Sequence, residues 1–201
     1  MNTKEKILNS ALNLFSKNGY NAVSVRHIAA EVGIKASSLY NHFESKNDIL
    51  NELIKINIKY INDFLKTIKP ENIINSDKPS DIDSLNICLL DIGLKIINFF
   101  FKNSTVIKFR KLLIIEQFNN SDLAEVYQKI FITDIVEYES KLFNYLMDKN
   151  ILSKKDPYIL ALEFYSPIFL LLHNKDEISN ENYSYLKKHI LSFKEIYCMK
   201  G

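Results

Sequence analysis

Two short apolar stripes separated by one glycine constrain this chain more than any other feature. In residues 24–43, SVRHIAAEVGIKASSLYNHF, Val25, Ile28, Ala29 and Val32 recur at helical spacing and mark the buried face of a first short helix. Ser24 stands just ahead of it, where a hydroxyl accepts from an orphan backbone N–H. Gly33 falls where a helix ends in a left-handed residue, a conformation glycine adopts without steric cost. After Ile34 a second short helix turns Leu39 and Phe43 inward and leaves Ser37, Ser38, Tyr40, Asn41 and His42 on or near the other face. Two helices this short need a third to close a core. Residues 3–17 supply it, with Asn2 or Thr3 as cap, Ile7, Leu8, Ala11, Leu12 and Phe15 facing inward, and Asn18-Gly19 as the stop.

The outward set is short, polar and aromatic with few acids, which suits a helix laid against a phosphate backbone and base edges. On spacing alone a generic helical hairpin fits equally well. The order of residues goes further. The helix over residues 7–15, Gly19-Tyr20, Ser24-Val25, Ile28-Ala29, Gly33-Ile34, Leu39-Tyr40-Asn41-His42-Phe43, Ser45-Lys46 and Ile49-Leu50 together resemble the N-terminal domain of TetR-family transcriptional regulators. The resemblance runs from Ile7 to Leu53, about a quarter of the chain.

That resemblance implies double-stranded DNA as a partner, with Arg26, Ala36, Ser37 and Ser38 at base or groove positions and Tyr40, His42 and Lys46 on the backbone. Ser24 belongs to the same surface. The chemistry agrees: a phenol and an imidazole donate to phosphate oxygens, Lys46 places a charge at a helix N-terminus, and the Arg26 fork matches guanine O6 and N7. Two departures leave the base preference open. Lys35 stands where relatives often have a Ser or Thr cap, so the second helix is expected to start one residue early or late, and Ser37 stands where they often have Gly.

The rest of the chain reads as all-α. With only 4 Gly and 4 Pro in 201 residues, there is little material for a multi-turn β-sandwich or a phosphate-binding glycine loop. We expect a helix-turn-helix DNA-binding domain over residues 1–45 and a larger helical domain over 46–201. A Ser45–Asp48 capping box starts a long helix to about residue 69, a rigid connector whose stripe is Leu50, Leu53, Ile54, Ile58, Ile61, Phe64, Leu65 and Ile68. Residues 70–80, with Pro70 and Pro79, form the expected loop, and a box at Ser80–Asp83 restarts a helix carrying Leu85, Cys88, Leu89, Ile92, Ile96, Phe99 and Phe100. Helices follow over residues 105–118, 122–148, 157–173 (with Pro167 expected to kink it) and 180–197.

In relatives the larger domain dimerises and binds a small molecule. A homodimer through the last two helices is expected here, since the first of them is apolar nearly all round and one helix-turn-helix reads too few base pairs. The expected effector residues are Phe99, Phe109, Glu116, Tyr127, Phe131, Tyr138 and Tyr165, an aromatic set with one acid that suits a lipophilic, even cationic, effector. The resemblance implies a repressor whose ligand tilts the connector helix and changes half-site separation.

Other classes find little support. There is no nucleophile elbow, HExxH, glycine loop or Ser–His–acid grouping for an enzyme, and His27, His42, His173 and His189 are scattered without metal spacing. No cofactor or metal is expected, and Cys88 and Cys198 read as free thiols. No secretory signal follows Met1, and the longest apolar run, residues 168–172, is far short of the ~20 residues a membrane span needs. A cytoplasmic protein with no membrane partner is expected. The net charge of +2 is permissive for DNA and diagnostic of nothing. The alternative is a helical interaction module without specific DNA binding.

Overall fold

The computed structural model describes residues 2–68, 82–174 and 178–199, and for residues 82–90 the helical backbone alone. The described residues form ten α-helices, which makes the chain all-α: α1 (Thr3–Asn18), α2 (Val25–Val32), α3 (Ala36–Leu39), α4 (Lys46–Thr67), α5 (Ile82–Lys102), α6 (Ser104–Glu116), α7 (Ser121–Gln128), α8 (Asp134–Asp148), α9 (Pro157–Asn174) and α10 (Asn180–Tyr197). A π-helical turn, Lys129–Thr133, joins α7 to α8. The only extended pairing among the described residues is an isolated bridge between Leu152 and Cys198. The loop expected over 70–80 and the cap signal at Ser80 lie outside the described residues, as do the side chains of Leu85, Cys88 and Leu89.

The helices pack as two compact units. One comprises Met1–Asn62 with Thr105–Tyr127, the other Asp63–Ser104 with Gln128–Gly201. The boundary expected at residue 45 falls within the first of these units, which also holds most of α4 and α6.

In the first unit each helix end has a local cause. Asn2 caps α1 by accepting from the Glu5 N–H (2.9 Å), and the Glu5 carboxyl returns to the Asn2 N–H (3.0 Å). Ser24 caps α2 in the same way, with His27 where Glu or Gln is usual: the His27 N–H donates to Ser24 Oγ and His27 Nδ1 accepts from the Ser24 N–H. Gly33 closes α2 at φ +78°, ψ 31°, the left-handed cap the sequence predicts. Lys35 precedes α3 without a side-chain cap, so α3 starts at Ala36 and lasts one turn. Ile7, Ala11, Phe15, Ile28, Ala29, Leu39 and Phe43 are buried together with Ile49, Leu50 and Leu53 of α4.

The second unit is built on aromatic packing. Phe143 of α8 meets Phe164 of α9 and Phe193 of α10 at 5.6 and 5.4 Å, and Phe164 meets Phe193 at 4.9 Å. Gly93 lets α5 approach α10 closely, since a Cβ there would lie 2.8 Å from Ile190 Cδ1. Asp156 caps α9 through the N–H groups of Tyr158 and Ile159, with Pro157 at the first helical position. Pro167 leaves α9 unbroken through Asn174. The π turn is the departure from expectation. One residue per turn too many rotates α8 by about 100° relative to an uninterrupted helix. Of the residues expected on its apolar side, Leu142 and Leu146 are buried while Tyr138 and Tyr145 are only half-buried, and Ile135, Val136, Glu139, Phe143 and Met147 complete the inward face.

Candidate nucleic-acid interface and effector residues

The surface over α2 and α3 divides as amphipathic spacing demands. Leu39 and Phe43 are buried, while Arg26, Ser37, Tyr40, Asn41 and His42 are exposed, Tyr40 at 55%. Ser24 is also exposed, with its hydroxyl engaged as a cap, and Ala36 and Ser38 are half-buried on the same turn. Past Leu39 the chain tightens: the Asn41 N–H reaches the Ser38 carbonyl, and the His42 and Phe43 N–H groups both reach the Leu39 carbonyl. The phenol and imidazole therefore stand on turns, not on a helix, anchored by the buried rings either side of them.

Lys46 sits elsewhere. Its ammonium donates to the carbonyls of Tyr20 (2.9 Å) and Val23 (2.8 Å) and lies 4.0 Å from the Tyr20 ring centroid. A side chain with both carbonyls and a ring to hold is a clamp on the α1–α2 loop. The ammonium expected to meet phosphate is engaged in this structure by the loop.

The other half of that clamp is an acid. Glu116, expected to be the acid of an effector pocket, is 5% exposed at the end of α6, and its carboxyl accepts the Tyr20 N–H at 2.7 Å. Burial, and then the Glu116 charge, raise the Tyr20 phenol above its ordinary value. The loop between α1 and α2 is thus held by an acid on its N–H and a cation on two of its carbonyls. Gly19 fits the same arrangement. At φ +78°, ψ 160° it occupies a region open essentially to glycine, and a Cβ would stand 3.0 Å from the Glu116 carboxyl.

The expected effector residues are distributed over both units. Phe109 and Tyr127 join Glu116 in the first unit, both buried, with the Tyr127 phenol raised by burial against the pull of Arg110. Phe99, Phe131, Tyr138 and Tyr165 belong to the second. There Phe99 stacks on Phe64 with centroids 3.7 Å apart and meets Phe100 edge-on, and Phe100 leads to Phe131. The Tyr165 hydroxyl donates to the Phe131 carbonyl (2.7 Å), a group in the π turn, and the Tyr138 hydroxyl donates to the Ile68 carbonyl. The acid that reasoning from sequence missed is Glu139. It is 1% exposed, neither carboxyl oxygen has a hydrogen-bond partner among the described residues, and burial raises its carboxyl well above the ordinary range. Its signal was present: Ile135, Glu139, Leu142 and Leu146 share one helical stripe, with an acid in an otherwise apolar row.

A helix-turn-helix with an exposed, acid-poor face, joined to a second helical body, defines the class of helix-turn-helix proteins with a separate all-helical domain. Residues 7–53 match the family model of bacterial regulatory proteins of the tetR family. Over 62 residues the chain is 40% identical to the biofilm operon icaADBC HTH-type negative transcriptional regulator IcaR of Staphylococcus aureus (strain Newman), a match covering 31% of this chain and 33% of that relative. The chain thus spans about a third of the length of the curated relatives it matches. Among solved structures, a TetR family transcriptional regulator from Pseudomonas syringae pv. tomato superposes with a TM-score of 0.67 at 17% identity, over 98% of this chain and 97% of that one. The SmeT–triclosan complex superposes with a TM-score of 0.66 at 18% identity, over 100% and 94%. The match to the tetR family model is confined to residues 7–53, and along its whole length the chain shares the fold of these regulators. No helix among the described residues is long and apolar enough to cross a membrane.

Proposed function

We propose that this protein is a DNA-binding transcriptional repressor, acting as a homodimer on a two-fold-symmetric operator and released by a small lipophilic effector. The observation that carries the reading is the exposed set Arg26, Ser37, Tyr40, Asn41 and His42, free of acids and fixed by the buried Leu39 and Phe43. In this reading the N-terminal turn of α3, with Arg26 beside it, meets base edges, and Tyr40 and His42 grip phosphates on either side. Ser24, Ala36 and Ser38 shape the contact face. Lys46 supports it indirectly, by holding the loop that leads into α2. That relative's naming as a negative regulator supports repression.

The effector side rests on the second unit and on the triclosan bound by SmeT. Glu139 replaces Glu116 as its acid, because Glu116 is committed to the Tyr20 N–H and Glu139 is a buried carboxyl without a partner. The dimer face is α9 with α10, whose Ile159, Leu162, Leu170, Tyr185, Leu191 and Ile196 are exposed.

The test is fluorescence anisotropy on DNA from upstream of the protein's own gene, across a salt series. We expect nanomolar-range, salt-sensitive binding to a palindromic fragment, weakened at least about tenfold by Tyr40→Ala with His42→Ala, since lost phosphate contacts cost affinity at every sequence. Binding indifferent to those two residues and to sequence would leave a helical interaction module.

A further inference from the structure

The first unit contains a hollow that the DNA-binding reading does not use. It lies between α1 and α4, with Thr105 at its edge, and measures about 330 Å³, within the range of small-molecule sites. Its floor is apolar: Leu8 and Leu12 of α1 and Leu53 of α4, all buried. Ile56 and Tyr60, exposed at 45% and 43%, form a raised apolar wall along α4. Two exposed branched and aromatic side chains bordering buried leucines leave more apolar surface at one place than a solvated helix face requires.

The polar groups of the hollow give its preference. Asn57 is 2% exposed on the buried stripe of α4, where Leu50, Leu53 and Ile61 are its neighbours. Its amide nitrogen donates to the Leu53 carbonyl at 2.8 Å, which fixes the orientation of the amide. Its Oδ1 is buried and has no hydrogen-bond partner among the described residues. A buried acceptor left without a donor is unfavourable and is relieved by any group that brings one. At the rim stands the carboxyl of Glu5, a second acceptor, whose oxygens meet the Asn2 N–H and side-chain amide. Asn57 Oδ1 lacks a donor, and the Glu5 carboxylate, whose donors are the neutral groups of Asn2, favours a positive one.

We propose that the hollow between α1 and α4 is a small-molecule site, taking an apolar molecule with an amine head: the apolar body lies on Leu8, Leu12, Leu53 and Tyr60, and the ammonium is drawn by Glu5 and Asn57. Protonated amines supply several N–H donors at one point, which suits a hollow lined by both a carboxylate and an amide oxygen. The Tyr60 ring face adds attraction for the same charge. The site is lined by residues of the first unit, whereas the effector residues proposed above belong to the second. It does not rest on the DNA-binding reading.

The experiment uses the full chain and 4-phenylbutylamine as the probe, with 4-phenylbutan-1-ol as its uncharged counterpart. Binding is followed by the rise in melting temperature with ligand concentration and by amide chemical-shift changes in 15N-labelled protein. Saturable binding of the amine, at least about tenfold tighter than the alcohol, with the largest shifts at Asn9, Ile56, Asn57 and Tyr60, supports the site. Two variants separate it from binding elsewhere. Glu5→Gln keeps the capping box and removes the charge, and Asn57→Leu removes the acceptor at nearly constant volume. Each is expected to weaken the amine about tenfold while leaving the unliganded protein folded. No saturable binding, equal affinity for amine and alcohol, or unchanged affinity in both variants overturns the proposal.

Discussion

Glu139 and Lys46 are ionisable side chains at two extremes of compensation. Lys46 has two carbonyls and a ring around its ammonium, whereas Glu139 has no partner for either oxygen among the described residues. Because burial raises the folded-state value, the Glu139 carboxyl is neutral in both folded and unfolded chains at pH below the ordinary value of about 4.3. As pH rises through that value the unfolded chain releases its proton while the folded chain keeps it. Stability therefore falls with increasing pH until the raised folded value is passed, where the loss levels off. Glu139→Leu removes both the titration and the unpartnered oxygens. We expect it to raise stability at pH 7 by about 1–3 kcal/mol, measured by urea unfolding, with the gain shrinking toward pH 4. A Glu139→Leu variant less stable than the parent at pH 7 would mean that the carboxyl is satisfied. The same pair shows what single residues disclose in a sequence. An acid on an apolar stripe was legible for Glu139. Nothing in the local sequence showed that Lys46 turns back 26 positions to Tyr20, because that contact depends on the path of α4 past the loop.

Elements were legible where their causes are local. Asn2, Ser24, Gly33, Asp156 and Ser179 each mark a helix end through bonds to residues within a few positions, and Pro157 marks one by needing no donor there. The π turn was not legible. It is held by the Tyr165 hydroxyl on the Phe131 carbonyl, 34 residues apart, and the phase of α8 follows from it. The clamp on the α1–α2 loop is equally non-local, 96 residues separating Glu116 from Tyr20. This contact makes α6 a structural neighbour of the helix-turn-helix, and its removal is measurable. Glu116→Ala leaves the Tyr20 N–H without its acceptor and is expected to lower stability by about 1–3 kcal/mol, with the Tyr20 amide losing protection in hydrogen exchange. Glu116→Gln retains an acceptor oxygen and is expected to recover most of both. If Tyr20 exchanges at the same rate in the alanine variant, α6 does not hold the loop.

At the scale of the whole molecule, the question is what covers α9 and α10. Their inward residues, Leu160, Ala161, Phe164, Ile168 and Leu172 of α9 and Leu186, Ile190 and Phe193 of α10, are buried within the second unit. The residues that remain exposed recur on one side of α9: Ile159, Leu162, Ser166 and Leu170 follow one another at three- and four-residue steps, one helical stripe. Beside it a hollow of about 420 Å³ is lined by Ile132, Val136, Leu162, Tyr165, Phe169 and Leu170, nearly all apolar. An exposed apolar surface of this kind calls for a partner, and a two-fold dimer is the partner that also serves the proposed DNA-binding face, because it presents two helix-turn-helix motifs to half-sites about 34–36 Å apart or a multiple of that. The substitutions that test this are Leu162→Glu and Leu170→Glu. Both sites are exposed, Leu170 at 60%, so the charges face water in an isolated chain and its fold is expected to tolerate them. In a dimer the same charges would be buried against the partner's apolar face. Sedimentation equilibrium is expected to show a dimer for the parent and a monomer for the double variant, with unchanged helical content by circular dichroism. Operator affinity should fall by two or more orders of magnitude in parallel, since each half-site then binds alone without the effective concentration that linkage provides. A variant that stays dimeric and binds DNA like the parent would place the dimer contact on another face and leave the α9 stripe to a different partner.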